Sequence, residues 1–168
     1  MSKEKVVIIT GAGSGIGFAT AKRFAVDHFK VVLFGRTKKK VEEAAKEIGK
    51  DKTLAVIGDV SKPKDVEKLI KQTVKKYGRI DVLVNNAAVF IGGSIDELSF
   101  KDWNKQFSIN TSGPFLTIKA ALSHLEKSKG SIINVSSVSG IGGDWGAFGY
   151  DASKGALNLM TKALALDL

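Results

Sequence analysis

Between residues 5 and 10 the chain runs through Val6, Val7, Ile8 and Ile9 with no polar alternation, reaches Thr10, and breaks into a cluster of glycines. A strand without a polar side is covered on both faces, which is the condition of a parallel sheet clothed by helices. The following residues supply those helices in strict alternation. Residues 15–27 read as a helix carrying Ile16, Ala19, Phe24 and Ala25, and residues 31–34 as a second strand, which completes one βαβ unit. Residues 38–48 read as a helix and 54–57 as a third strand. Residues 63–77 form a helix with proline in its first turn and an apolar face of Val66, Leu69, Ile70, Val74 and Tyr77. A fourth strand follows at 81–85, long helical material at 103–126, a fifth strand at 130–136 and a last helix at 150–168. This order predicts an α/β fold, a doubly wound parallel sheet in a three-layer α/β/α arrangement, because each parallel crossover is long and right-handed. No linker or repeat interrupts it, so residues 1–168 read as one domain.

Composition narrows the chemistry. Cysteine is absent, which excludes thiol catalysis, thiolate metal sites and a disulfide framework, and no other metal-ligand pattern stands out. Hydrophobic residues at 43% and charged residues at 26% are those of an ordinary globular chain. No apolar run approaches the roughly 18 residues of a membrane span, and the stretch after Met1-Ser2-Lys3-Glu4-Lys5 is too short for a signal peptide. A cytoplasmic protein without a membrane partner is the expectation. The formal charge of +9 suits an anionic ligand. Nucleic acid is not expected, since Lys22, Lys50, Lys75, Lys105 and Lys127 are scattered with no aromatic stacking pattern among them.

The strands end in small or polar residues: Thr10-Gly11, Gly35-Arg36, Asp59-Val60, Asn85-Asn86-Ala87 and Ser136-Ser137. In open α/β sheets ligands bind beyond the carboxyl ends of the strands, so five such ends describe one cleft. After the first strand comes Thr10-Gly11-Ala12-Gly13-Ser14-Gly15-Ile16-Gly17. It departs from the G-x-G-x-x-G template at Ile16 and fits T-G-x-x-x-G-x-G through Gly11, Gly15 and Gly17. Such a turn brings backbone close to a diphosphate at a helix N-terminus, which makes Gly11, Ser14, Gly15, Ile16 and Gly17 its expected contacts. At the end of the second strand an acidic residue would hold an adenosine 2′-hydroxyl and repel a 2′-phosphate. Here Gly35 stands there, followed by Arg36, whose guanidinium forks onto phosphate.

Tyr150 and Lys154 lie one helical turn apart. A free tyrosine titrates near pKa 10, too high for a base at neutral pH, and a nearby ammonium favours its phenolate. Taken with Asn110 in the long helical region and Ser137 after the fifth strand, the pattern T-G-A-G-S-G-I-G, D-V, N-N-A-A, S-I-N, I-N-V-S-S and Y-D-A-S-K resembles the short-chain dehydrogenase/reductases, a Rossmann-fold family of nicotinamide-dependent enzymes, over nearly the whole chain. The resemblance implies a catalytic set of Asn110, Ser137, Tyr150 and Lys154. Tyr150 would be the general acid/base and Ser137 would hydrogen-bond the substrate carbonyl or hydroxyl. Lys154 would hold the nicotinamide ribose, and Asn110 a water of the proton relay. It also implies that Asp59 and Val60 meet the adenine and that Asn86 and Ala87 form the wall beside the cofactor.

Two departures qualify the match. Ala88 stands where the family usually has glycine, and family members usually continue through a sixth strand, a substrate loop and a seventh strand. The expectation is therefore a chain truncated relative to the family, lacking its last strands. Two functions stay open: an oxidoreductase using NADP in preference to NAD on a small alcohol, ketone or aldehyde, and a truncated nucleotide-binding module without turnover. In the family the helices here containing Phe115, Leu116, Ile118, Ala121 and Leu122, and Ala156, Leu157, Leu159, Met160 and Ala163, pack between subunits. A homodimer is expected, and more weakly a homotetramer.

Overall fold

The computed structural model describes residues 4–168. Strand β1 (Val6–Thr10) is the middle of a five-stranded, wholly parallel sheet in the order β3-β2-β1-β4-β5. The other strands are β2 (Lys30–Gly35), β3 (Thr53–Ile57), β4 (Val82–Asn85) and β5 (Ser131–Asn134). The helices are α1 (Gly15–Val26), α2 (Lys38–Ile48), α3 (Pro63–Tyr77), α4 (Phe100–Phe107), α5 (Gly113–Ser128), the short α6 (Ser139–Gly142) and α7 (Phe148–Asp167). Strand order reverses between β1 and β4, the switch point at which such sheets open a crevice. This is the doubly wound α/β fold that the alternation predicts.

All five residues of β1 are buried. Val6 and Ile8 join Val32, Phe34, Leu69 and Leu125 in a core under α3 and α5, while Val7 and Ile9 join Val31, Leu33, Ala21 and Val41 in a second core under α1 and α2. Two cores on opposite faces explain why the strand has no polar side. Each such aliphatic side chain contributes about 1.5–3 kcal/mol on leaving water. At the far side of the sheet, Thr117 donates to Asn85 Oδ1 (2.6 Å), Asn85 Nδ2 to Asn134 Oδ1 (2.9 Å) and Asn134 Nδ2 to Thr161 Oγ1 (2.9 Å). This chain of amides and hydroxyls ties α5, β4, β5 and α7 together. Among the described residues β5 pairs with β4 alone.

Local differences from the sequence reading have physical causes. In α1 the buried stripe is Gly17, Ala21 and Ala25, four apart, whereas Ile16 is 68% exposed. A Cβ on Gly17 would stand 2.5 Å from both Gly11 O and Asn86 Nδ2, so only the smallest residues let this helix approach the sheet. The single stretch expected at 103–126 is two helices joined by a wide π turn, Ser108–Ser112, which carries Asn110. Pro114 has no N–H for the helical ladder, and the bonding pattern resets ahead of it. α7 begins at Phe148 rather than Tyr150, β5 is shorter than the apolar run, and α6 was not expected at all. The predicted face of α3 holds: Val66, Leu69 and Ile70 are buried and Val74 and Tyr77 pack against them. No described helix is long and apolar enough to cross a membrane.

Candidate active site

The turn after β1 is fixed from beneath by the residues after β4. Thr10 Oγ1 accepts the N–H groups of Asn86 and Ala87, each at 3.0 Å, and Asn86 Nδ2 donates to Thr10 O at 3.0 Å. Gly11 has φ +66°, and a Cβ there would stand 2.9 Å from Ala87 Cα. Glycine is required on both counts, left-handed backbone and close approach. Ser14 caps α1 with no side-chain bond and no acidic residue occupies the first turn, so the leading amides stay free for an anion.

Above this turn opens a cleft of about 340 Å³ whose walls include Gly11, Ser14, Arg36, Asp59, Val60, Asn86 and Ala87. Those seven sequence-predicted residues therefore converge. Gly15, Ile16 and Gly17 belong to the first turn of α1 beside it, Gly17 beneath and Ile16 in solvent. Gly35 forms the floor near Arg36, where a Cβ would meet Val41 Cγ2 at 3.1 Å. Lys40, which in the sequence reads as part of a solvated basic helix start, lines the same cleft. Lys38 and Lys39 turn toward Glu42 and Glu43, at 3.9 and 4.0 Å, and leave Arg36 and Lys40 without an ion pair among the described residues. The Asp59 carboxylate accepts both Ser61 N–H and Ser61 Oγ–H, which holds it at the start of α3.

The second group gathers where α7 starts. Lys154 is 3% exposed, its ammonium donating to Val135 O at 2.8 Å and standing 5.7 Å from the centre of the Tyr150 ring. Burial pushes the Lys154 pKa below the ordinary lysine value. Phe90 lies edge-on to Tyr150, ring centres 5.3 Å apart. Asn110, fully buried, grips Val89 on both sides: Oδ1 accepts Val89 N–H (2.8 Å) and Nδ2 donates to Val89 O (2.9 Å) and to Ser153 Oγ (3.0 Å). Ser153 in turn donates to Tyr150 O at 2.7 Å, so Asn110 braces the first turn of α7. Ser136 Oγ donates to Lys154 O at 3.4 Å, and Gly140 packs against the Lys154 backbone, which sets Ser137 alongside that turn. Asn110, Ser137, Tyr150 and Lys154 thus come together from three segments, the π turn, the loop after β5 and α7.

Sequence reasoning missed several members. Gln106, fully buried one turn before Asn110, accepts the N–H of Ile91 at 3.0 Å and continues the grip on the segment carrying Phe90. The four-residue spacing of two amide side chains, Gln106 and Asn110, was the available signal. Ser153 lay inside the Y-D-A-S-K motif itself. Among the described residues no cluster of histidines or acids is arranged to hold a metal ion.

Comparison with known proteins gives the same pattern. The family model described as short chain dehydrogenase matches residues 5–168. Meso-2,3-butanediol dehydrogenase of Serratia marcescens is 47% identical over 164 residues, covering 98% of this chain and 65% of the relative. An uncharacterized oxidoreductase of Thermotoga maritima is 41% identical over 167 residues, with 97% and 65% covered. A short chain dehydrogenase structure from Bacillus anthracis superposes with TM-score 0.94 at 40% identity, covering 98% of this chain and 70% of the other. The chain spans about two thirds of the length of these relatives.

Proposed function

The chain belongs to the short chain dehydrogenase family, and on that premise we propose that it is an oxidoreductase transferring a hydride between NADP(H) and an alcohol or the corresponding ketone or aldehyde. The observation that carries this reading is the buried ammonium of Lys154, anchored on Val135 O and set against the Tyr150 ring. A buried lysine without a carboxylate partner costs stability, and its retention beside a phenol points to proton chemistry. When bound, the nicotinamide supplies or takes the hydride. Tyr150 gives a proton to the carbonyl oxygen in reduction and takes it from the hydroxyl in oxidation. Lys154 stabilises the negative charge left on the phenol oxygen, and Ser137 hydrogen-bonds a substrate oxygen. Asn110 braces the first turn of α7 and is assigned the relay water.

The cofactor fits what the cleft offers. Glycines at 11 and 17 let the turn close onto Asn86 and Ala87, Gly15 leaves open space where a Cβ would stand, and the bare first turn of α1 presents amides to a diphosphate. The first turn of α2 holds three lysines and no acid, the reverse of what a helix N-terminus favours unless an anion sits there. Arg36 and Lys40 supply that site for a 2′-phosphate, and Gly35 brings no opposing carboxylate, which supports NADP over NAD. Asp59 and Val60 are assigned to the adenine end, Asn86 and Ala87 to the inner wall. Self-association through α5 and α7 is supported by Phe115 and by the exposed stripe of Leu159, Ala163 and Leu166, a surface suited to a second copy.

Tyr150→Phe tests the reading. It should lower carbonyl reduction by NADPH at least about 100-fold while NADPH affinity, measured by calorimetry, is unchanged. A variant that keeps most of its activity removes Tyr150 from the chemistry. Tight NADPH binding without turnover of any alcohol or carbonyl by the unsubstituted chain would leave a nucleotide-binding module.

A further inference from the structure

Gln106 is wholly buried, yet only half of its amide is used. Oε1 accepts the N–H of Ile91 at 3.0 Å, whereas Nε2 has no acceptor among the described residues. A buried donor without a partner costs stability, and an apolar side chain of the same length would fill the place without that cost. The surroundings of the amide give the reason it is there. On one side it holds the segment that carries Phe90: Asn110 binds Val89 through both its N–H and its C=O, and Gln106 binds Ile91, so Phe90 is clamped by the residue on either side. On the other side it lies against the start of α7, where a Cβ added to Gly149 would stand 2.5 Å from Nε2. Tyr150 is the next residue, and the Phe90 ring meets it edge-on with centres 5.3 Å apart. Gln106 thus bears on a chain neighbour of each of the two rings.

On the reading that Tyr150 carries the proton in carbonyl reduction, we propose that Gln106 is a positioning residue for it. The amide sets the spacing between the 89–91 segment and the first turn of α7, and Phe90 then holds the Tyr150 ring toward the substrate oxygen. Phe90 is 60% exposed, so no core of its own places it and its position depends on the backbone grip. Edge-to-face contact between aromatic rings is directional, and a shift of either backbone turns the phenol. Misplacing a reacting group by about 1 Å costs up to about 100-fold in rate while the fold stays intact.

The test uses Gln106→Met and Phe90→Ala, singly and together. The chain has two tyrosines, Tyr77 and Tyr150, so the ring signals of Tyr150 are separable by NMR in the protein without cofactor. Phe90→Ala should shift them by removing the neighbouring ring. Gln106→Met should shift them in the same direction, with Tm within about 2 °C of the parent, since the orphaned donor goes and water can reach the half-buried Ile91. In reduction of 2-butanone by NADPH, Gln106→Met should lower kcat roughly tenfold and leave KM unchanged, because a buried amide does not touch the substrate. The double variant should lose no more than the worse single one, as both substitutions break the same series of contacts. Tyr150 signals that respond to Phe90→Ala and not to Gln106→Met overturn the inference, and so do losses that multiply in the double variant. A loss of kcat in Gln106→Met that comes with a marked fall in Tm makes the residue a support of the fold and overturns it too. No turnover of any carbonyl compound by the unsubstituted chain overturns the dehydrogenase reading instead, and the ring signals still decide whether Gln106 places Tyr150.

Discussion

The centre of the sheet and its β5 side are built to different standards of rigidity. At the centre, β1 has a strand on each side and a packed core on each face, and the turn after it is pinned by Thr10 and Asn86. Around β5 and α6 the same chain presents Val138, Ile141 and Trp145 at 81, 85 and 105% exposure, and Gly143 and Gly146 take left-handed φ values. On the proposed function the difference would divide labour between two ligands: a dinucleotide of fixed shape suits a cradle that is costly to deform, and the partner to be oxidised or reduced would be met by side chains whose own packing does not hold them.

If that division is real, substitutions at the centre should disturb fold and binding together. Gly17→Val is the largest expected effect. Its Cβ would meet Gly11 O and Asn86 Nδ2, each at 2.5 Å, and both atoms are engaged at the turn. Overpacking of this kind costs on the order of 3 kcal/mol, a fall of roughly 10 °C in Tm for a domain of this size. NADPH binding should weaken with it. Scanning calorimetry and a cofactor titration on one sample check both, and an unchanged Tm would mean that α1 moves easily and the centre is not rigid.

Next in size is Arg36→Ala, at the rim of the same cleft. Arg36 is exposed and makes no ion pair among the described residues, so the fold should not register its loss. A charge-assisted bond to phosphate is worth about 1.5–3 kcal/mol, which is roughly ten- to a hundredfold in affinity. NADPH should lose that much while NADH and Tm stay unchanged. Equal losses for the two cofactors would move 2′-phosphate recognition elsewhere, Lys40 first.

Legibility in the sequence follows the same division. The central strands and the glycine turn were readable because their constraints are local: Val6 to Ile9 must be apolar on both sides, and Gly11 needs a backbone that other residues avoid. The face of α1 was misread because its packing is decided by closeness to Asn86, far away in sequence, which favours Gly17 and Ala21 over Ile16. Tyr150 and Lys154 were legible as a helical pair. Their supports had only a faint signal, an amide spacing for Gln106 and a motif position for Ser153, because both act through backbone partners, Ile91 N and Tyr150 O, that only the fold brings near. The π turn at Ser108–Ser112 was hidden as well, since its residues are compatible with ordinary helix and only the docking of Asn110 on Val89 reveals what the turn is for.

Trp145→Ala is the smallest expected effect on the fold and probes the other side of the comparison. The indole is wholly in solvent, and the loop beneath it is held by backbone: Gly93 N–H donates to Gly146 O at 2.8 Å, and Gly93 bridges to Ala147. Nothing in that scheme needs the side chain, so Tm should stay within about 2 °C of the parent. An exposed tryptophan is unfavourable unless something covers it, and on this loop it borders the cleft beside Asp144 and Phe148. A substrate with an apolar arm that covers part of the ring would lose about tenfold in KM on its removal, and a short substrate would lose little. Measuring KM along a series of methyl ketones of increasing chain length reads this directly. A KM that is indifferent to chain length in both proteins takes the indole out of substrate binding, and a marked fall in Tm would show that it packs in solution, placing this loop with the rigid part of the molecule.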